Sequence, residues 1–396
     1  MEFQWNAFVL LHALPHKQGL SSMNYSNSKD FKNSPAFQIY NQLTMPPGAM
    51  QKIFEPVLKI LAQTNQRTRP FKITPASLLF AGDHGVAKFK NVSAFPQEVT
   101  AQMLLNFAFG GAAMNVLSSL RNSEIAVCDV GVATPYEFDW NAHEVKNKTL
   151  ASGKKIHFFN KNVPKALNTK EYSFGCKDIS EEFALSPEAY EKSFQAGKDV
   201  FESMHLKTSC NVVILGEMGI GNTTPAAAII SQCLNIDAHK NTGIGTGIDN
   251  EKRKLKGTVI AQAVSRHNEF FKGKNNSAHD VVRSLGGFEF AAMAGAAQAA
   301  AAKGVHIILD GVIATAAVLP LALADFNFKS WLIGGHLSAE PAHMAALQAL
   351  EIEPILNLNL RLGEGSGAAL ALGIMQDALA MLNNMATFKS AGVSAN

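Results

Sequence analysis

Four cysteines in 396 residues, at Cys128, Cys176, Cys210 and Cys233, with no C-x-x-C pair among them, provide neither a thiolate zinc site nor a disulfide framework. Charged residues are scarce as well, at 17% against about 25% in an average globular protein. With 47% hydrophobic residues beside it, that scarcity excludes bulk disorder and supplies a large buried core. Basic blocks are missing, and 35 Lys plus Arg against 32 Asp plus Glu leave a formal charge of +3, so a nucleic-acid partner has no electrostatic footprint. Long apolar runs are missing too. The longest, Gly311 to Ala324, is about 14 residues between two aspartates, short of the roughly 20 that span a bilayer. The apolar segment Trp5 to Leu14 follows Glu2 rather than a basic residue, and no small-residue cleavage site comes after it. These absences predict a cytoplasmic protein with reduced thiols and no membrane contact.

What is present is a repeating pattern. After a polar stretch from Ser21 to Ser34, which buries little and is expected to be mobile, the chain alternates short apolar β-type runs, glycine-rich corners and alanine-rich helical spacing. The residues before Met23 fit no element of this pattern, which makes Met23 a candidate translation start. Six candidate strands follow: Ser77 to Phe80, Ile125 to Cys128, Asn211 to Leu215, Val305 to Leu309, Trp331 to Ile333 and Ile355 to Leu360. Such a pattern predicts an α/β fold with a Rossmann-like parallel sheet flanked by helices. Right-handed crossovers then place the glycine corners along one carboxyl edge, where ligands bind. The lysine-rich stretch from Asp139 to Ser193 departs from the pattern and reads as irregular connections or an excursion over the sheet.

Three corners carry candidate chemistry. The first, Gly-Glu-Met-Gly-Ile-Gly-Asn-Thr-Thr-Pro (216 to 225), suits a helix start with Thr223 or Thr224 as N-cap and Pro225 in the first turn, a geometry that favours an anion such as phosphate. Glycines that only turn the chain are the simpler alternative. Gly221-Asn222-Thr223 lacks the Gly-Lys-Ser/Thr of a P-loop, whereas Asp237, about 20 residues past the corner, keeps an NAD-dependent dehydrogenase open. In the second corner, Gly-Glu-Gly-Ser-Gly (363 to 367), Glu364 is penned by glycines at a strand end and reads either as a structural cap or as a functional group, in which case partial desolvation would raise its pKa and make it a general base. The third, Ser-Ala-Glu-Pro (338 to 341), predicts Ser338 as the cap of a helix from about Ala339 to Leu350, or a phosphate ligand. His336 and His343 have no zinc-like spacing, so no metal is expected. Asp83 and His84 read equally as turn punctuation or ligand contacts, and one of Lys252, Lys254 and Lys256 could reach a phosphate.

Taken together with Ala-Gly-Asp-His-Gly-Val (81 to 86), Pro-Gln-Glu-Val-Thr-Ala-Gln-Met (96 to 103), Gly-Gly-Ala-Ala-Met-Asn-Val-Leu (110 to 117), Gly-Gly-Phe-Glu (286 to 289) and Met-Ala-Thr-Phe (385 to 388), these corners resemble the nicotinate-nucleotide:dimethylbenzimidazole phosphoribosyltransferase family of cobalamin lower-ligand assembly, from about Leu43 to Val393. The resemblance implies transfer of the 5-phosphoribosyl group from nicotinate mononucleotide to 5,6-dimethylbenzimidazole, without a cofactor, giving α-ribazole 5′-phosphate and nicotinate. It implies Glu364 as the base that takes the azole proton and Glu217 as the carboxylate near the oxocarbenium-like centre. It further implies a base pocket of Pro46, Ser93, Phe95, Gln97, Met218 and Leu362 beside the Glu364–Gly365 corner, and a phosphate at Gly219, Gly221, Asn222, Thr223, Ser338 and Lys256. The family's Thr-Lys-Pro-Pro-Gly-Ser-Leu-Gly is here Thr-Met-Pro-Pro-Gly-Ala-Met-Gln (44 to 51), so the base preference can differ. Also implied are a homodimer and a smaller helical domain built from both chain ends. The boundaries are then a flexible extension over 1–36, small-domain residues 37–75, a large α/β domain over 76–350, and a last strand and C-terminal helices over 351–396. A binding protein that kept the corners without the chemistry is the remaining alternative.

Overall fold

The computed structural model describes residues 30–139 and 148–394; the candidate start at Met23 lies outside them. Residues expected in a mobile extension already have structure from Asp30, where a 3-10 turn runs to Asn33 and Ser34 caps helix α1 (Pro35–Tyr40) by accepting from the Phe37 N–H. The helices that bear on the site follow in order: α2 (Gln51–Gln63), α3 (Val99–Phe109), α4 (Ala113–Leu120), α5 (Pro187–Thr208), α6 (Thr223–Leu234), α7 (Asn250–Phe271), α8 (Phe288–Ala302), α9 (Val312–Ala324), α10 (Pro341–Ala349) and α11 (Ser366–Asn384). The apolar stretch holding α3 and α4 is broken at Gly110, whose φ of 84° only glycine adopts freely, into helices of 11 and 8 residues.

Seven strands form one sheet in the order β3-β2-β1-β4-β5-β6-β7. They are β1 (Pro75–Gly82), β2 (Glu124–Gly131), β3 (Ile156–Asn160), β4 (Val212–Met218), β5 (His306–Leu309), β6 (Leu332–Ser338) and β7 (Pro354–Leu360), and every pairing is parallel. Six of them are the six strands expected. The seventh, β3, lies in the stretch read as irregular; it is an edge strand with Ile156 alone fully buried, so its sequence carries little of the apolar signal of a central parallel strand.

Strand side chains alternate between two cores. Ala76, Leu78 and Phe80 of β1 join Val213 and Leu215 of β4 beneath α5, α6, α8 and α9, while Leu79, Ala81, Val212 and Ile214 join the helices of the other face. That second core is made by α2, α3, α4 and α11, so both chain ends pack on the same face. They are also tied directly: Leu43 bridges Thr387, the Phe388 N–H donates to the Gln42 carbonyl, and Asn383 exchanges hydrogen bonds with the Phe71 backbone. The chain leaves β1 outward to β2 and β3, then returns to β4 on the other side of β1. This reversal is the topological switch point at which open parallel sheets leave a crevice beyond their carboxyl ends.

Candidate active site

A cavity of about 340 Å³ occupies that crevice, bounded by the ends of β4, β5, β6 and β7. At its floor β4 ends in Glu217 and Met218, and the turn from Gly219 to Asn222 leads into α6. The expected cap is displaced by one residue: Asn222, not Thr223, takes the N-cap position, and its side chain donates to the Glu217 carboxylate instead of capping. No side chain caps α6, and the N–H groups of Ile220, Asn222 and Thr224 are already taken by Thr100 Oγ1 and the Gly219 and Gly221 carbonyls, which leaves those of Gly221 and Thr223 for the cavity wall formed by Gly219 to Thr223. Helix polarity makes this wall attractive to an anion.

Opposite stands the Gly363–Gly365 corner. Three successive left-handed residues, with φ of 84°, 66° and 86°, turn β7 into α11 and hold Glu364 inward. A non-glycine residue in that region costs on the order of 1 kcal/mol or more, which the surroundings must offset. They do so by close packing: a Cβ on Gly363 would come within 2.6 Å of the Glu217 carboxylate, and one on Gly216 would run into the Glu364 carbonyl oxygen. The two acids are linked, since the Glu364 N–H donates to Glu217 Oε1 at 3.3 Å. Asp310, at the end of β5, accepts from the N–H groups of Gly365 and Ala368 at 3.2 and 2.9 Å and so fixes the corner on the α11 N-terminus.

Environment separates the carboxylates. Burial pushes Glu217 up to about 8, helped by the Asp310 and Glu289 charges and opposed by the Glu364 N–H and Asn222. Glu364 is also raised, by burial first, against a hydrogen bond from the Met114 backbone and with a further push from Asp310. Its Oε2 is buried without a hydrogen-bond partner at the cavity wall. A buried carboxylate oxygen in that state has the basicity and the vacancy to accept a proton from a bound ligand.

Behind the far wall stands a cation. Lys256 is completely buried on α7, with its ammonium donating to Thr223 Oγ1 at 2.7 Å and lying 3.5 Å from the Gly243 carbonyl. Burial depresses its pKa to about 8, partly offset by Glu340. Glu340 accepts from the Gly245 N–H at 2.8 Å and Arg361 reaches the Gly245 carbonyl at 3.4 Å, so the loop around Gly245 is held from two sides. Ser338 departs from expectation: it ends β6, and α10 starts at Pro341 because the residue before a proline is driven to extended backbone, as Glu340 is with ψ of 127°. Its hydroxyl is buried, unpartnered and on the cavity wall.

Glu364, Glu217, Ser93, Phe95, Met218, Gly219, Gly221, Asn222, Thr223, Ser338 and Leu362 all line the cavity. Phe95 and Leu362 are 50% and 60% exposed and form an apolar rim. Lys256 stands one hydrogen bond behind the wall through Thr223, and Gly365 braces Glu364 through Asp310. Gln97 is committed elsewhere, donating to the carbonyls of His84 and Phe174 at 3.1 and 2.7 Å, and Pro46 sits in the exposed turn before α2. Asp310, Gly245, Glu340 and Arg361 went unassigned from sequence; each acts through backbone groups distant in the chain, which no local pattern announces.

The sequence profile of the phosphoribosyltransferase family DBI_PRT matches residues 30–393. A Shewanella sp. (strain W3-18-1) protein named nicotinate-nucleotide–dimethylbenzimidazole phosphoribosyltransferase is 37% identical over 358 residues, 90% of this chain and 93% of its own. A Chloroflexus aurantiacus protein of the same name is 37% identical over 354 residues, 89% of this chain and 92% of its own. Among solved structures, CobT from Thermus thermophilus superposes with a TM-score of 0.77 at 31% identity, covering 93% of this chain and all of the other. The dehydrogenase alternative falls with these matches. The family profile, the relatives and the solved structure together show that the chain belongs to the nicotinate-nucleotide–dimethylbenzimidazole phosphoribosyltransferase family.

Proposed function

We propose that the protein moves the 5-phosphoribosyl group of nicotinate mononucleotide onto 5,6-dimethylbenzimidazole, with Glu364 as general base. The carrying observation is the buried, unpartnered Glu364 Oε2 at the cavity wall. The azole N–H gives its proton to this oxygen as the other ring nitrogen forms a bond to C1′. The bond from C1′ to the nicotinate nitrogen breaks, and its electron pair stays on that nitrogen. The pyridinium thereby becomes a neutral ring, so no general acid is needed, and displacement from the opposite face inverts C1′ and gives α-ribazole 5′-phosphate.

Glu217, when ionised, faces the positive charge that builds on the ribose during this displacement. A cationic pyridinium beside it favours that ionised form and works against the burial that raises its pKa. The 5′-phosphate is taken by the α6 wall, Ser338 and Lys256, the one fully buried member of the three candidate lysines. Bringing a dianion near Lys256 restores the charge that burial disfavours. The rim of Phe95 and Leu362 supplies an apolar surface for the planar base. The half-exposed Phe109, Val116 and Leu120 on α3 and α4 support a homodimer, which light scattering on the purified protein tests. The reaction is tested by mass analysis of products from nicotinate mononucleotide and the azole: a base-dependent α-ribazole phosphate is expected, and its absence with folded protein refutes the reading.

A further inference from the structure

Behind the glycine turn, outside the cavity lining, lies an ion pair that touches no reacting group, although the Glu289 charge helps to raise Glu217. The His84 imidazole and the Glu289 carboxylate are completely buried and meet at 2.5 Å, Nε2 to Oε1. His84 Nδ1 lies 3.2 Å from Cys176 Sγ, while Glu289 Oε2 has no hydrogen-bond partner. Burial works to lower the histidine pKa, but the adjacent Glu289 and Cys176 outweigh it and hold the ring protonated. Glu289 stands in the first turn of α8, where the helix dipole favours a carboxylate. Desolvating two charges generally costs as much as their attraction returns, so stability alone is a poor reason for such a pair in a core.

Its neighbours suggest the reason. A Cβ on Gly219 would lie 3.1 Å from both Glu289 Oε1 and His84 Nε2, and 2.6 Å from the Gly82 carbonyl oxygen. On Gly82 it would lie 3.0 Å from Glu289 Oε2, and on Gly287 it would lie 2.6 Å from His84 Cε1. Glycines therefore let three backbone corners close directly onto the pair: the end of β1, the start of α8, and the turn after β4. Gly219 opens the turn whose far side lines the cavity down to Thr223. The pair itself is anchored, because the Gly85 N–H donates to the Cys176 carbonyl at 2.7 Å, the Cys176 N–H to the Asp83 carbonyl at 2.8 Å, and Gln97 to the His84 carbonyl.

We propose that His84 and Glu289 form a positioning pair for the nucleotide half of the site, holding Gly219 so that the turn from Gly219 to Thr223 keeps the Gly221 and Thr223 N–H groups in register with the substrate phosphate. Neither residue touches substrate. This rests on the assignment of the phosphate to that turn, and the test separates the two. Calorimetry on wild-type protein compares nicotinate mononucleotide with nicotinate riboside, which lacks the phosphate; equal affinities would overturn the phosphate assignment itself. Given tighter nucleotide binding, Glu289→Ala is expected to weaken it at least tenfold while the KM for 5,6-dimethylbenzimidazole stays within threefold. Glu289→Gln, which keeps an acceptor for the histidine N–H, is expected to restore nucleotide binding to within threefold of wild type. A role confined to stability predicts no such split. Unchanged nucleotide affinity in folded Glu289→Ala, or equal losses for both substrates, overturns the proposal. Should Glu289→Ala not fold, His84→Ala, which removes the other member of the pair outside the cavity, carries the same expectation of a selective nucleotide loss, and an equal effect on both substrates overturns it.

Discussion

The two halves of the cavity are built differently. The wall formed by Gly219 to Thr223 and Ser338, with Lys256 behind it, is largely buried, cross-braced through Thr223, Glu340 and Gly245, and backed by an ion pair. The rim of Phe95 and Leu362 is half-exposed, and the nearby Ser93 and Thr246 hydroxyls lie 3.4 Å apart, a weak brace. A group that is the same in every turnover rewards a rigid, preorganised half, whereas a planar base bound mainly by apolar contact needs only surface. Glu217 and Glu364 stand at the seam, joined by one hydrogen bond. The contrast teaches that nucleotide binding and base binding should be separable by mutation.

The largest effect should come at the seam. Glu364→Gln is expected to cut kcat by about 10³-fold or more, in the range lost with a general base, while nicotinate mononucleotide still binds within about threefold by calorimetry. Next comes the rigid half. Lys256→Met, close in volume, should raise the nucleotide KM by about 10- to 100-fold, the value of a charge-assisted hydrogen bond, and leave the azole KM unchanged in steady-state kinetics. The smallest effect belongs to the rim, where Leu362→Ala should change the azole KM by about three- to tenfold through lost apolar contact and leave the nucleotide KM alone. Equal sensitivity of both KM values to either variant would erase the comparison.

Titration sharpens the same contrast. In the proposed roles Glu217 loses a proton to face positive charge and Lys256 keeps one to hold phosphate; burial brings both pKa values to about 8. The expected kcat/KM for the nucleotide therefore rises toward pH 8 and falls above it, and Glu217→Gln should move the rising limb, leaving the part set by ionisation of Glu364. Stability runs the other way for this acid. Its folded pKa is raised from 4.5, so its contribution is complete below pH 4.5 and is lost as pH rises through 8. Melting curves should show Glu217→Gln gaining on wild type at pH 9 relative to pH 5, although its activity is lower.

Much of this was legible in the chain because parallel strands buried on both faces read as short apolar runs and the glycine corners mark their carboxyl ends. The Glu364 corner could be found for that reason. Edge strand β3, sequence Ile-His-Phe-Phe-Asn, could not, since most of it is only half-buried. Lys256 carries a partial signal: Lys256, Ile260, Ala263 and His267 share the buried stripe of α7 at helical spacing, which marks this lysine off from Lys254, whereas Lys252, one turn earlier, shares the stripe and differs by its partial exposure in the first turn. Asp310 and Glu340 gave none. Their work is to accept N–H groups from Gly365, Ala368 and Gly245, residues brought close only by the sheet.

The most direct measurement is nicotinate release from nicotinate mononucleotide by the purified protein, with and without 5,6-dimethylbenzimidazole, beside Glu364→Gln. The account predicts azole-dependent release with an equal amount of α-ribazole 5′-phosphate, and almost none from the variant. Release at an undiminished rate by Glu364→Gln, or none from folded wild-type protein with the azole present, would contradict it.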